Sequence, residues 1–153
     1  MAYAEGTSVS PEKSRMEIET TLRRYGANAF GYVSDDARSA VQFSFKGRSI
    51  RILIAKADAS KLQRSYYGRL RAATPAEKEK WQYDESRRQW RALLLVIKAK
   101  LEAVESKIAT FDDEFMAYVV MPNGQTMGEW MRPQLDEAIK NGRMPQLLLG
   151  GNP

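Results

Sequence analysis

The stretch Val41-Gln42-Phe43-Ser44-Phe45-Lys46-Gly47-Arg48-Ser49-Ile50-Arg51-Ile52-Leu53-Ile54 decides the fold. Val41, Phe43 and Phe45 alternate with Gln42 and Ser44, and Ile50, Ile52 and Ile54 resume the alternation after the tight turn Lys46-Gly47. Alternation with a period of two puts successive side chains on opposite faces of a pleated strand. One face is therefore apolar, and Ser49, Arg51 and Leu53 lie on the other. A register slip of one residue would put three isoleucines in water, so the pairing is strongly specified.

On the N-terminal side, Ala29 to Val33 is rich in aromatics and ends at Ser34-Asp35-Asp36, which makes it the first strand of a three-stranded meander. Before it, Ser10-Pro11 supplies a hydroxyl N-cap and a proline at the first helical position. Met16, Ile18, Leu22 and Tyr25 then mark one buried helix face, and Gly26 is placed to stop the helix in the left-handed conformation.

On the C-terminal side, residues 56–73 (KADASKLQRSYYGRLRAA) show no period and are compatible with a mobile loop or a short helix. Thr74-Pro75-Ala76-Glu77 is a capping box with proline at the first helical position. The helix it opens can run to about Thr110, striped by Trp90, Leu94, Ile97, Leu101, Val104 and Ile108. A helix of that length spans roughly 50 Å, so part of it must project, break or pack on another subunit. Phe115 to Met121 reads as a fourth strand closed by Pro122-Asn123-Gly124. Thr126 and Glu129 form a second capping box for a helix striped by Trp130, Met131, Leu135 and Ile139 and stopped by Asn141-Gly142. The expected class is α+β, in the order α-βββ-α-β-α. A single domain fills residues 1–153, with a flexible N-terminus at 1–9, a basic loop at 56–73 and a C-terminal tail at 143–153.

Composition limits the chemistry. There is no cysteine and no histidine among the 153 residues, which removes disulfides, thiolate nucleophiles, Ser-His and Cys-His arrangements and structural zinc sites. Walker-type and dinucleotide glycine motifs are absent, so no cofactor is expected. The acidic clusters Asp35-Asp36 and Asp112-Asp113-Glu114 are the only residues that suggest Mg²⁺, for a nuclease at the far edge of the alternatives. Both fall where a turn, cap or loop is expected. The N-terminal residues do not read as a signal peptide, and the longest apolar run, Ala92 to Ile97, falls far short of the roughly 20 residues of a membrane span. The chain reads as cytoplasmic, in a bacterium or a phage-infected cell.

The net charge of +5 is unevenly placed. Residues 56–71 hold five basic side chains against one acid, whereas residues 112–153 hold three against six. Lys56, Lys61, Arg64, Arg69 and Arg71 are suited to phosphates, and Tyr66 and Tyr67 to stacking on bases, the two requirements of single-strand binding. Arg87, Arg88 and Arg91 beside Trp90, and Arg51 on the polar sheet face, would extend that surface. Glu77, Glu79, Asp84 and Glu85 are interleaved, however, and charges three or four apart on a helix pair on its surface. Trp81 and Tyr83 fall outside the apolar stripe of the long helix, which leaves one of them for solvent or an interface.

The run Tyr25-Gly26-Ala27-Asn28-Ala29-Phe30-Gly31-Tyr32, followed by a meander and a long helix, resembles the core of eukaryotic-type single-strand annealing proteins and their phage relatives. Asn28, Phe30, Gly31 and Tyr32 match the motif, and the element order agrees over about residues 12–110. The chain departs from the family where Val33-Ser34-Asp35 replaces an expected aromatic. The resemblance implies core positions for Phe30 and Tyr32, a homo-oligomer, and single-stranded DNA in a basic groove beside the meander. The function expected is non-enzymatic single-stranded DNA binding or annealing. The alternative is a phage-encoded protein-interaction module or inhibitor of a host factor, suggested by the projecting helix, by Met116, Met121, Met127, Met131 and Met144, and by the tail Leu147-Leu148-Leu149.

Overall fold

The structure is a computed structural model that describes Ala4 and residues 6–144. The Leu147-Leu148-Leu149 tail and most of the N-terminal segment before Gly6 lie outside the described residues. The class is α+β. Helix α1 (Pro11–Arg24) leads into β1 (Asn28–Ser34), β2 (Arg38–Phe45) and β3 (Arg48–Ala55), an antiparallel sheet in the order β1-β2-β3. A second sheet of two strands, β4 (Gln63–Tyr66) and β5 (Arg69–Ala72), precedes the long helix α2 (Pro75–Glu105). The short α3 (Phe111–Phe115), a 3-10 turn (Met116–Tyr118) and α4 (Met127–Asn141) complete the order.

The meander has the register its alternation requires: Val41 faces Ile52 and Phe43 faces Ile50. Val41, Phe43, Ile50, Ile18, Leu22, Leu94, Ile97, Leu101 and Phe115 are almost wholly buried. Helices α1 and α2 therefore pack together on one face of the sheet, which joins one continuous core. Phe30 and Tyr32 pack against that core. The Tyr32 ring meets Trp90 edge to face, and its hydroxyl donates 2.7 Å to the Arg15 carbonyl. Burial pushes the Tyr32 phenol up to about 12, since the charged form would lose its hydration.

All the expected caps form. Ser10 accepts from Lys13 N–H, and Thr74 with Glu77 and Thr126 with Glu129 make reciprocal capping boxes.

Five local expectations are corrected. Residues 56–73 are not a loop or a short helix throughout: 56–62 are irregular, but residues 63–72 pair as an antiparallel hairpin. The long helix stops at Glu105: Lys107 takes a left-handed φ of 59°, Ile108 N–H turns back to the Ala103 carbonyl, and the Ile108 side chain is exposed. Met16 faces solvent, and Ser14 takes the buried position on its helix. Asp112, Asp113 and Glu114 lie in α3, whose Thr110 N-cap pairs reciprocally with Asp113, rather than in a loop. The extended part of 115–121 shrinks to single bridges, Val119 with Ile50 and Val120 with Thr126, because α3 and the 3-10 turn take up its first residues.

Candidate nucleic-acid interface

The basic segment is built into β4 and β5. Tyr67 and Gly68 occupy the two-residue turn with φ of 47° and 76°, the positive pair that matches the twist of a hairpin. At the root, Ala73 N–H donates 2.9 Å to the Leu62 carbonyl, and Ala73 is buried. Every residue of both strands is exposed.

The register decides what each face displays. Arg64 pairs with Arg71 and Tyr66 with Arg69. Partners across a ladder, and residues two apart along a strand, share a face. Arg64, Tyr66, Arg69 and Arg71 therefore stand together on one side of the ribbon, and Gln63, Ser65, Leu70 and Ala72 on the other. Tyr67 sits at the tip, 91% exposed, with its ring 4.6 Å from that of Tyr66 in an edge-to-face contact.

Like charges directly opposite each other destabilise a ladder. Arg71 relieves this by reaching the start of α2, where its guanidinium donates to both Glu77 carboxylate oxygens at 2.8 Å. Glu77 also accepts from Thr74 N–H, and the two contacts, Arg71 first, hold its carboxyl down to about 2. Among the described residues, no side-chain hydrogen bond or ion pair engages Arg64 or Arg69, whose backbones alone are paired in the ladder. Lys61 lies just before the hairpin, beside Asp58, whose carboxyl is lowered chiefly by the Ser60 N–H.

The remaining expected cations are occupied within the fold. Arg51 donates 2.9 Å to the Gly124 carbonyl, and Lys56 binds the Asp35 carbonyl. Arg87 pairs with Asp84 and lies over the Tyr83 ring, and Arg88 pairs with Glu85, both at 2.6 Å. Arg91 reaches across to Glu17 of α1 at 3.1 Å. The α2 arginines are thus matched by the acids interleaved with them or facing them. Tyr83 is about half exposed, and Trp81 is partly buried.

Of the clustered carboxylates, Asp35, Asp112, Asp113 and Glu114 are tied down as well. Asp35 accepts from the Arg38 and Ala37 backbone N–H groups, which lower its carboxyl, and Asp112 and Glu114 bind Arg48 and Lys100. No group of three or more carboxylates among the described residues could hold a metal ion. No helix among them is long and apolar enough to cross a membrane. Compared with known proteins, the chain matches no protein-family model, no curated protein and no solved structure.

Proposed function

We propose that this protein is a non-enzymatic binder of single-stranded nucleic acid, DNA in the first instance, that grips its ligand with the β4–β5 hairpin. One observation carries the reading: a solvated ribbon with Arg64, Tyr66, Arg69 and Arg71 on one face and Tyr67 at its tip. Phosphates need cations, and unpaired bases need flat rings to stack on. This face offers both within four residue pairs. Arg64 and Arg69, free of internal partners, neutralise phosphates without first breaking a contact. Arg71 shifts from Glu77 to a phosphate at the cost of that pair. Annealing follows if two strands are held on separate hairpins.

The test is fluorescence anisotropy of labelled single- and double-stranded oligonucleotides titrated with protein across a salt series. Tighter single-strand binding, with affinity falling steeply as salt rises, is expected. Absence of binding at low salt would overturn the reading.

A second reading, a protein-interaction module, is favoured by α4. None of its residues is buried, and Leu135 and Ile139 of its apolar stripe are 52% and 73% exposed. In that case the protein captures one partner protein, and oligonucleotides do not compete.

A further inference from the structure

Edge strands present unpaired N–H and C=O groups, and folded proteins normally cover or blunt them. The margins of this protein are treated unequally. That of β3 is met by the chain itself, since Ile50 bridges Val119 and the Val120 N–H donates 2.8 Å to the Ser49 carbonyl. Those of β4 and β5 carry Arg64, Arg69 and Arg71. The outer margin of β1 has neither a cover nor a charge, and its one blunting feature is the irregularity between Asn28 and Gly31. Asn28–Ser34 bears no charged side chain, and among the described residues only β2 bonds to its backbone.

Backbone bonds at the ends of β2 fix the hydrogen-bonding sense of that margin. Asp35 N–H donates to the Arg38 carbonyl, and Lys56 N–H to the Ala37 carbonyl. Strand β2 therefore turns residues 38, 40 and 42 toward β1, and residues 39 and 41 toward β3. With Gly31 opposite Gln42 and Val33 opposite Ala40, Gly31 and Val33 spend their backbone groups on β2. Tyr32 and Ser34 point theirs outward. A register shift between Asn28 and Gly31, where Ala29 has a φ of 53°, limits the flat part of the strand to residues 31–34.

We propose that this margin is a self-association surface, on which a second copy of the chain pairs antiparallel through β1 about a two-fold axis at Val33. About that axis Tyr32 faces Ser34 of the second copy, and Ser34 faces Tyr32, so the outward groups meet as hydrogen-bonded pairs. Val33 meets its own counterpart in the non-hydrogen-bonded position, where Cα atoms approach to about 4.5 Å and side chains are closest. Val33 is 71% exposed and shares a row on the outer face with Ala40 and Leu53, the latter 38% exposed. Pairing carries this apolar row from one copy into the next, as an isologous contact requires. Charge favours the same place: the chain is +5, and β1 is an uncharged stretch where two copies meet without bringing cations together.

A pairing over four residues buries less than the roughly 1,200 Å² of stable complexes, so the dimer is weak and concentration-dependent. It does not rest on the nucleic-acid reading, although it would place two hairpins in one particle and raise the effective concentration of the second on a shared strand.

Sedimentation velocity of the full chain without nucleic acid, at rising concentration, tests the pairing. Wild type should move from monomer toward dimer, while Val33→Lys and Val33→Glu each stay monomeric over the same range. An equimolar mixture of the two variants should return to the dimer position. Both substitutions fall on an exposed side chain, and circular dichroism checks that the fold is kept. Wild type that stays monomeric throughout, or Val33→Lys that associates like wild type, overturns the proposal. A mixture that stays monomeric overturns the axis at Val33. Because no oligonucleotide is present, failure here leaves the hairpin reading standing.

Discussion

The β2–β3 pair and the β4–β5 hairpin are made by the same turn and used in opposite ways. Lys46-Gly47 and Tyr67-Gly68 adopt nearly identical backbones, with φ of 46° and 77° in one and 47° and 76° in the other. In the first pair, alternate residues are buried beneath α1 and α2. In the second, no residue is. An isolated two-stranded hairpin is marginal in water, so β4–β5 depends on its turn, its Leu62–Ala73 root and the Arg71–Glu77 pair. Strand geometry is common to both regions, and burial alone separates a core wall from a display surface.

Substitutions can probe that contrast. The largest effect belongs to the core: Phe43→Ala should cost about 3–5 kcal/mol, read from the urea midpoint, because it opens a cavity beside Phe115 and Phe30. The paired change Tyr66→Ala with Tyr67→Ala should leave that midpoint within about 0.5 kcal/mol. It should weaken single-strand binding by ~1–3 kcal/mol for each base that loses its ring. Unchanged binding would remove stacking from the proposed function, and a collapse of stability would show that the two sheets are not separable.

Finer comparisons come from the turns and from pH. Gly47→Ala puts a side chain in the left-handed region and should destabilise the whole domain by about 1–2 kcal/mol. Gly68→Ala at the matching position should leave the global midpoint in place and speed hydrogen exchange only in the hairpin. The smallest effect is expected at Glu77. Its carboxyl titrates near 2 in the fold against an ordinary 4.5. Its contribution is therefore complete above about 4.5 and is lost as the pH falls toward 2. The gap in unfolding midpoint between wild type and Glu77→Gln should hold at neutral pH and close across that window.

The meander and the capping boxes were legible because each leaves a local mark: Val41, Phe43 and Ile50 alternate, and Thr74 and Thr126 stand three residues before a glutamate. The hairpin was not, since periodicity reports burial and Gln63 to Ala72 bury nothing. The surviving signal was Gly68 after Tyr67, the counterpart of Gly47 after Lys46. The end of α2 was hidden because a lysine, Lys107, takes the left-handed position that glycine usually announces. Thr110 and Asp113 carried a cap for α3 that Asp112-Asp113-Glu114 disguised as a loop. The candidate site residues were chosen by type, but which of those cations are held inside the fold depended on three-dimensional partners such as Glu17 for Arg91, 74 residues away.

The hairpin's lack of neighbours also sets an electrostatic scale. Four residues per strand make an arm of about 13 Å from root to turn. Screening in physiological salt takes effect over about 8 Å. The ring of Tyr67 stands at the full length of the arm, whereas Arg69 is only two residues, about 7 Å, from Arg71 and its partner Glu77. Salt weakens the field of Glu77 at Arg69 without abolishing it, so the sign the arm presents is set by its own arginines together with that one acid of α2.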